Sequence, residues 1–171
     1  MLSGKTAVFI DGANFSHTAK RLNMQIDYKK MLASLKENTE LIRTFYYTAM
    51  YTENDGNIPM QRLVDYLSYN GYTVVTKPAK VFTDINEVVR IKGNMDIEIA
   101  VDMLKIAKCV DNITLFSGDG DFCPLVKAVQ EQGVFVTVVS SFETRPSMIA
   151  DELRRQADEF IGLETLRNYL T

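Results

Sequence analysis

The stretch Lys5–Asn14 constrains the fold of this chain more than any other, because an apolar strand in it ends abruptly at polar residues. Five uncharged residues, Thr6–Ile10, lead into Asp11, and Gly12 and Asn14 follow directly. A continuous run rich in β-branched and aromatic residues is typical of a parallel strand that is buried on both faces. The carboxyl end of such a strand opens into the ligand crevice of an α/β sheet, which places Asp11 at the mouth of a site. The alternative is that Asp11 and Asn14 only cap the next helix.

The rest of the chain alternates predicted strands with predicted helices. This alternation predicts an α/β fold with three layers, a parallel sheet with helices on both of its faces. We expect one domain over residues 1–171, with a short helical tail from about residue 163. The irregular segment 77–93 is predicted as a β-hairpin, with arms Lys80–Thr83 and Glu87–Ile91 around 84–86, or as a mobile flap. The further strands are predicted at 41–50, 72–76, 112–116 and 134–139, and the clearest helices at 28–38, 95–107, 122–132 and 147–156.

Composition excludes some classes of protein and leaves others open. Apolar residues make up 46% of the 171 residues and the net charge is −3, so the chain as a whole has no attraction for nucleic acid or an anionic membrane. Cys109 and Cys123 have no C-x-x-C spacing, and together with the single histidine, His17, they cannot build the usual zinc site. We expect both cysteines in or near the core. No signal peptide and no bilayer-spanning run is apparent, so we expect a soluble cytoplasmic protein.

A second predicted strand, Ile113–Phe116, also ends in acidic residues. It runs into Ser117-Gly118-Asp119-Gly120-Asp121, in which two glycines alternate with two aspartates. The glycines let the backbone bend so that both carboxylates point to one place. Alternatively, Asp121 caps the predicted helix that follows. Because capping needs only one acidic residue, we favour a functional role for the pair.

Asp96 supplies a further carboxylate from the first turn of the predicted helix 95–107. It is in phase with Ala100 and Met103, so it is expected to face the sheet. An acidic residue in a first turn also interacts favourably with the helix dipole, which is the structural alternative. Asp102 lies on a different side of the same helix and is expected to be solvated or to support the site rather than to bind a ligand.

Asp11, Asp96, Asp119 and Asp121 are therefore expected to gather in one crevice at the carboxyl edge of the sheet. Four carboxylates repel one another, and a hard divalent cation such as Mg²⁺ or Mn²⁺ relieves that repulsion. Such ions can activate water and stabilise the leaving oxygen of a phosphodiester. No Ser-His or Cys-His pair competes with this interpretation. His17 is expected on the helix surface, or as a contact to the substrate.

The order of these motifs resembles the NYN domain family, the LabA-like branch of the PIN-like nucleases. The resemblance rests on Phe9–Asn14, on Lys92–Asp96 with the helix that follows, and on Ser117–Phe122. It implies a five-stranded parallel sheet of order 3-2-1-4-5 and a metal-dependent ribonuclease. It further implies that the four aspartates are catalytic metal ligands, that Asn14 supports the site, and that Ser117 supports it or contacts phosphate.

An RNA substrate needs a positive surface near these carboxylates. Basic residues of the irregular segment and its neighbours are candidates for contacts to backbone phosphates. Phe82 or Phe142 would offer a face on which an unpaired base stacks. The alternative is that these are ordinary solvated charges. The candidates are Lys77, Lys80, Arg90 and Lys92, with Lys20, Arg21 and Arg145 expected at the same rim.

Two other functions remain open from the sequence. A haloacid dehalogenase-type phosphatase also uses an aspartate after the first strand, but it needs a second aspartate two residues later, where this chain has Ala13. The second alternative function is that of a non-catalytic regulatory module that binds RNA or protein. The apolar residues of the second predicted strand and of the tail around Leu163–Leu170 are compatible with a homodimer interface.

Overall fold

The computed structural model describes residues 4–50, 58–83 and 89–171, with the backbone alone described for 58, 80–83 and 89–92. The described part contains eight strands and seven α-helices. The strands are β1 (Lys5–Asp11), β2 (Glu40–Met50), β3 (Thr73–Pro78), β4 (Lys80–Thr83), β5 (Val89–Lys92), β6 (Asn112–Phe116), β7 (Phe135–Ser140) and β8 (Glu159–Gly162). The helices are α1 (Gly12–Arg21), α2 (Tyr28–Asn38), α3 (Ile58–Tyr69), α4 (Asp96–Ile106), α5 (Cys123–Gln130), α6 (Asp151–Gln156) and α7 (Arg167–Leu170).

Six strands form one parallel sheet in the order β3-β2-β1-β6-β7-β8. Counted within this sheet, the order is 3-2-1-4-5-6, so the predicted order is confirmed and one strand is added at its end. Strand order reverses between β1 and β6, and in open α/β sheets the crevice at such a point binds ligands.

β1 lies at the centre of the molecule, as its apolar sequence predicts. Ala7 and Phe9 pack on one face of the sheet with residues of α4, α5 and α6. Val8 and Ile10 pack on the other face with residues of α1, α2, α3 and α7. All four side chains are fully buried. The predicted three-layer arrangement is confirmed.

The prediction of five strands is wrong by one, because β8 extends the sheet beyond β7. Phe160 pairs with Val138 in parallel register, and the Asp158 carboxylate accepts a hydrogen bond from the Val136 N–H at 2.8 Å just before the strand. A four-residue edge strand with a single fully buried residue carries too little alternation to be recognised in the sequence.

Of the two interpretations of the segment 77–93, the described residues support a hairpin. β4 and β5 pair in antiparallel register, from Lys80 opposite Lys92 to Thr83 opposite Val89. The predicted turn at 84–86 lies outside the described residues.

The segment between β7 and α6 replaces the first part of a helix predicted from Ser147. The Met148 and Ile149 N–H groups both donate to the Ser141 carbonyl, and the Ala150 N–H donates to the Gly118 carbonyl at 2.9 Å. These hydrogen bonds fix the segment before α6, in which Ala150 has an extended conformation (φ −70°, ψ 136°), so α6 begins only at Asp151.

The expectation for the two cysteines holds for one of them. Cys123 is half-buried against the core beside α4 and α5, whereas Cys109 is exposed in the turn after α4. The prediction for Cys109 is wrong because α4 ends at Ile106, which leaves the following turn at the surface. Among the described helices, none combines the length and hydrophobicity needed to cross a membrane.

Candidate metal centre

Asp11 ends β1 and caps α1, so the capping interpretation is confirmed, while its role as a metal ligand stays a prediction. Its Oδ1 accepts a hydrogen bond from the Asn14 N–H at 3.2 Å, and its Oδ2 accepts one from the Ser117 hydroxyl at 3.0 Å. Both bonds fix the orientation of the carboxylate. A carboxylate has about four acceptor positions, so about two remain for another ligand.

Asn14 and Ser117 join the ends of β1 and β6. The Asn14 Oδ1 accepts from the Gly118 N–H at 3.0 Å, and the Ser117 Oγ accepts from the Asp119 N–H at 3.3 Å. Both residues therefore hold the acidic turn after β6 against Asp11. Their supporting role at a metal site, which the family resemblance implies, stays a prediction.

The acidic turn after β6 has no room for a side chain at Gly118. A Cβ added there would lie 1.8 Å from the carbonyl oxygen of Met148. The turn is thus held from one side by Asn14 and from the other by the segment before α6. Its position depends on glycine, because only glycine allows the two backbones this close.

Asp119, rather than Asp121, caps the helical turn that follows β6. Its Oδ1 accepts from the Asp121 N–H at 3.0 Å, and α5 begins only at Cys123, with no side-chain cap. The alternative in which Asp121 caps the helix is therefore wrong. The Asp121 side chain is exposed at the surface instead.

Asp96 begins α4 and comes close to the turn after β6. Carboxylate oxygens of Asp96, Asp119 and Asp121 all lie within 4.8 Å of one another. The Asn94 side-chain amide donates to Asp96 Oδ2 at 2.7 Å. These three carboxylates, from two distant parts of the chain, offer the oxygen ligands that Mg²⁺ and Mn²⁺ prefer.

The acidic pocket is a cavity of about 320 Å³ lined by Asp11, Asn14, His17, Asp96 and Asp119, among other residues. Its electrostatics follow from the crowding of like charges. Burial, followed by the carboxylates of Asp11, Asp119 and Asp121, raises the pKa of Asp96 to about 6, and Lys77 opposes this shift. Burial also raises the pKa of Asp11, against the hydrogen bonds from Asn14 and Ser117. A divalent cation would relieve this cost, so the residues present fit such an ion.

Asp102 supports the pocket in a way that the sequence did not specify. Its Oδ2 accepts a hydrogen bond from the Tyr47 hydroxyl at 3.1 Å, which ties α4 to β2. Tyr47 is fully buried, pairs with Asp11 in the register of β1 and β2, and lines the acidic pocket. The buried hydroxyl was the available signal, since a buried tyrosine needs a partner, but the sequence does not identify that partner.

The predicted basic residues differ in their surroundings. Lys77 forms an ion pair with Glu98 at 2.9 Å, and Arg145 donates to the carbonyls of Phe142 and Thr144 in its own loop. The side chains of Lys80, Arg90 and Lys92, and that of Phe82, lie outside the described side chains. The guanidinium of Arg154 lies over the rings of Phe142 and Phe160, at 4.8 and 5.0 Å, so it covers one face of the predicted stacking residue Phe142.

Comparisons with known proteins agree with this geometry. A model of the NYN domain matches residues 5–164. The low amplitude and bright protein LabA of Synechococcus elongatus is 33% identical over 170 residues, which cover 97% of this chain and 87% of that protein. The crystal structure of a Vibrio parahaemolyticus protein of unknown function has a TM-score of 0.77 at 24% identity, covering 99% of this chain and 97% of that one. The catalytic domain of Thermotoga maritima CheB methylesterase is similar in fold alone, with a TM-score of 0.50 at 10% identity, covering 98% and 97% of the two chains. The chain therefore belongs to the NYN domain family, whose members are usually nucleases.

Proposed function

We propose that this protein is a Mg²⁺- or Mn²⁺-dependent ribonuclease that hydrolyses RNA phosphodiester bonds at the acidic pocket. One observation carries the proposal: oxygens of Asp96, Asp119 and Asp121 lie within 4.8 Å of one another beside a cavity that Asp11 also lines. Without a cation, this grouping costs free energy, because burial and then repulsion between the carboxylates raise the pKa of Asp96.

In this proposal, Asp96, Asp119 and Asp121 hold the divalent ion, and Asp11 completes the set of carboxylates. When bound, the ion supplies activation of water and stabilisation of charge at the phosphate. Asn14 and Ser117 keep the Asp11 carboxylate and the acidic turn in a fixed relation, so little reorganisation is needed when substrate arrives.

Substrate contacts extend the proposal beyond the pocket. Arg145, Lys80, Arg90 and Lys92 are proposed to contact RNA phosphates, as the sequence predicts. For Arg145, support comes from a guanidinium that bonds only to neutral carbonyls among the described residues, which leaves its charge for an anion. A phosphatase of the haloacid dehalogenase type is disfavoured because Ala13 lines the pocket where that chemistry needs a carboxylic acid.

The test is cleavage of a fluorescent single-stranded RNA with Mn²⁺ or Mg²⁺. We expect Asp11→Asn and Asp119→Asn to lower the rate by at least about 100-fold, because loss of a ligand costs more than loss of a supporting contact. Asp151→Asn is the matched control, since this aspartate is exposed in the first turn of α6, pairs with Arg155 and does not line the pocket. Cleavage that survives both pocket substitutions refutes the assignment. If the wild type cleaves nothing with either ion, the non-catalytic module becomes the better proposal.

A further inference from the structure

The exposed face of α1 leads away from the acidic pocket and carries an arginine held in a fixed position. Arg21 donates from Nε to His17 Nε2 at 2.9 Å and from Nη1 to the carbonyl oxygen of Arg145 at 2.7 Å. His17 itself lines the pocket, one helical turn after Asn14. The guanidinium is therefore hydrogen-bonded through Nε to a residue that lines the pocket, and through Nη1 to the loop after β7.

The partners of Arg21 are neutral, like those of Arg145 and Arg167, and this separates it from the surface cations that form ion pairs. Because His17 Nε2 accepts a hydrogen bond, the imidazole carries its proton on Nδ1 in this arrangement. By contrast, Lys77 is paired with the carboxylate of Glu98, and Arg155 with that of Asp151. Within the described residues, Arg21 forms no ion pair, so its full charge remains available to an external anion.

The geometry of the guanidinium suits a phosphate group. Arginine has five N–H donors in a planar fork, and two of them are used by His17 and Arg145. One donor on Nη1 and both donors on Nη2 remain, and guanidinium donors form charge-assisted hydrogen bonds with phosphate oxygens. Since the side chain is already ordered, binding loses less rotamer entropy than with a free arginine.

We propose that Arg21, held by His17 and the Arg145 carbonyl, is a phosphate subsite for the RNA strand beside the acidic pocket. This inference rests on the proposed ribonuclease function and deepens it. The bound strand runs from the carboxylates along the exposed face of α1, and Arg21 binds a phosphate other than the one that reacts. The subsite offsets the repulsion between the polyanionic strand and the carboxylates of the pocket.

Binding can be measured separately from cleavage. We would titrate a short fluorescent oligouridylate by anisotropy at several salt concentrations, with Ca²⁺ in place of Mg²⁺ or Mn²⁺, and check by gel that the RNA stays intact. Arg21→Gln is expected to weaken binding about tenfold, because it removes a charge-assisted contact. It should also reduce the slope of log K against log salt by about 0.7, the value for one phosphate on a single strand.

Two further variants separate the subsite from a general effect of charge. Arg155→Gln removes the same charge from an exposed arginine of α6 that is paired with a carboxylate, and it should leave affinity unchanged within about twofold. His17→Ala keeps the charge of Arg21 but removes one of its two acceptors, and it should weaken binding about threefold.

The binding and cleavage results test the subsite and the nuclease function separately. Equal losses in Arg21→Gln and Arg155→Gln, wild-type affinity in His17→Ala, or no binding by the wild type would overturn the subsite. Binding that depends on Arg21 but not on Arg155, in a protein that cleaves no RNA with Mn²⁺ or Mg²⁺, would support the subsite and refute the nuclease.

Discussion

Replacing Asp96 by asparagine is expected to stabilise the metal-free protein while removing its response to metal. In the folded protein, burial and three neighbouring carboxylates raise the pKa of Asp96 from 3.8 to about 6. The folded state therefore binds the proton of Asp96 more tightly than the unfolded state does. The contribution of Asp96 to the free energy of unfolding is greatest below about pH 4, falls as the pH rises to about 6, and stays constant at higher pH. Asparagine has no charge to repel, so the variant avoids this loss.

The magnitude follows from the pKa and the exposure of the group. A pKa raised from 3.8 to about 6 corresponds to about 3 kcal/mol if it is fully expressed, at 1.36 kcal/mol per pH unit. Asp96 is only partly buried, so solvent screening reduces this to about 1.5 kcal/mol. The helix dipole favours a negative charge at the start of α4, so the variant loses about 0.5 kcal/mol of this stabilisation. A net gain of about 1 kcal/mol raises the melting temperature of a chain of this size by about 2–4 °C.

The assay is thermal unfolding from pH 4 to pH 8, in EDTA and in millimolar Mn²⁺. In EDTA the advantage of Asp96→Asn should grow between about pH 4 and pH 6 and remain constant above. In Mn²⁺ at pH 7.5 the wild type should gain about 5–10 °C, because an ion at 100 times its dissociation constant adds about 2.7 kcal/mol, and the variant should gain little.

Asp151→Asn is the control for this experiment. It removes an exposed acidic residue of the first turn of α6 that pairs with Arg155 and does not line the pocket, and so should lower stability slightly and keep the Mn²⁺ response. The reasoning fails if Asp96→Asn is less stable than the wild type in EDTA at pH 7.5. It also fails if the variant keeps the full response to Mn²⁺.

Two substitutions test how the pocket is supported. Gly118→Ala should lower the free energy of unfolding by about 3 kcal/mol or more in urea denaturation, because its Cβ would lie 1.8 Å from the Met148 carbonyl oxygen. The control, Gly133→Ala, has a φ of +85° but nothing within 4 Å of the added Cβ, so it should cost only about 1 kcal/mol. Equal losses in the two variants would contradict the close-packing argument. Tyr47→Phe should lower the free energy of unfolding by about 1.5–3 kcal/mol, because it removes a hydrogen bond to the Asp102 carboxylate. It should also weaken Mn²⁺ binding by displacing α4. A variant with wild-type stability and Mn²⁺ affinity would show that Tyr47 does not position that helix.

The acidic pocket could be predicted because its main determinants are local in sequence. Two apolar strands each end in aspartate and glycine, and parallel neighbours bring such ends to one edge of the sheet. The phase of Asp96 with Ala100 and Met103 indicated that it faces the sheet, and in the structure it meets Asp119 and Asp121. The roles of the four aspartates, the single domain, the homodimer and the cytoplasmic location stay predictions from the sequence.

The parts that the sequence did not reveal depend on contacts between distant residues. Lys77 was predicted to meet RNA, but it pairs with Glu98 across 21 positions, a contact that no local pattern indicates. Similarly, α6 begins four residues later than predicted because Ala150, whose N–H donates to the distant Gly118 carbonyl, has an extended conformation. β8 was missed because its pairing with β7, rather than its own composition, makes it a strand.

The hydrogen bond from Ala150 to the Gly118 carbonyl has a consequence for the order in which the protein matures. The turn that carries Asp119 and Asp121 is complete in sequence long before Met148 and Ala150 emerge from the ribosome, yet its backbone is held against them. A nascent chain ending before residue 150 therefore lacks one wall of its acidic pocket, however well its first five sheet strands have paired. Competence to hold a divalent ion should therefore arise only after Met148 and Ala150 have been added and have reached the turn.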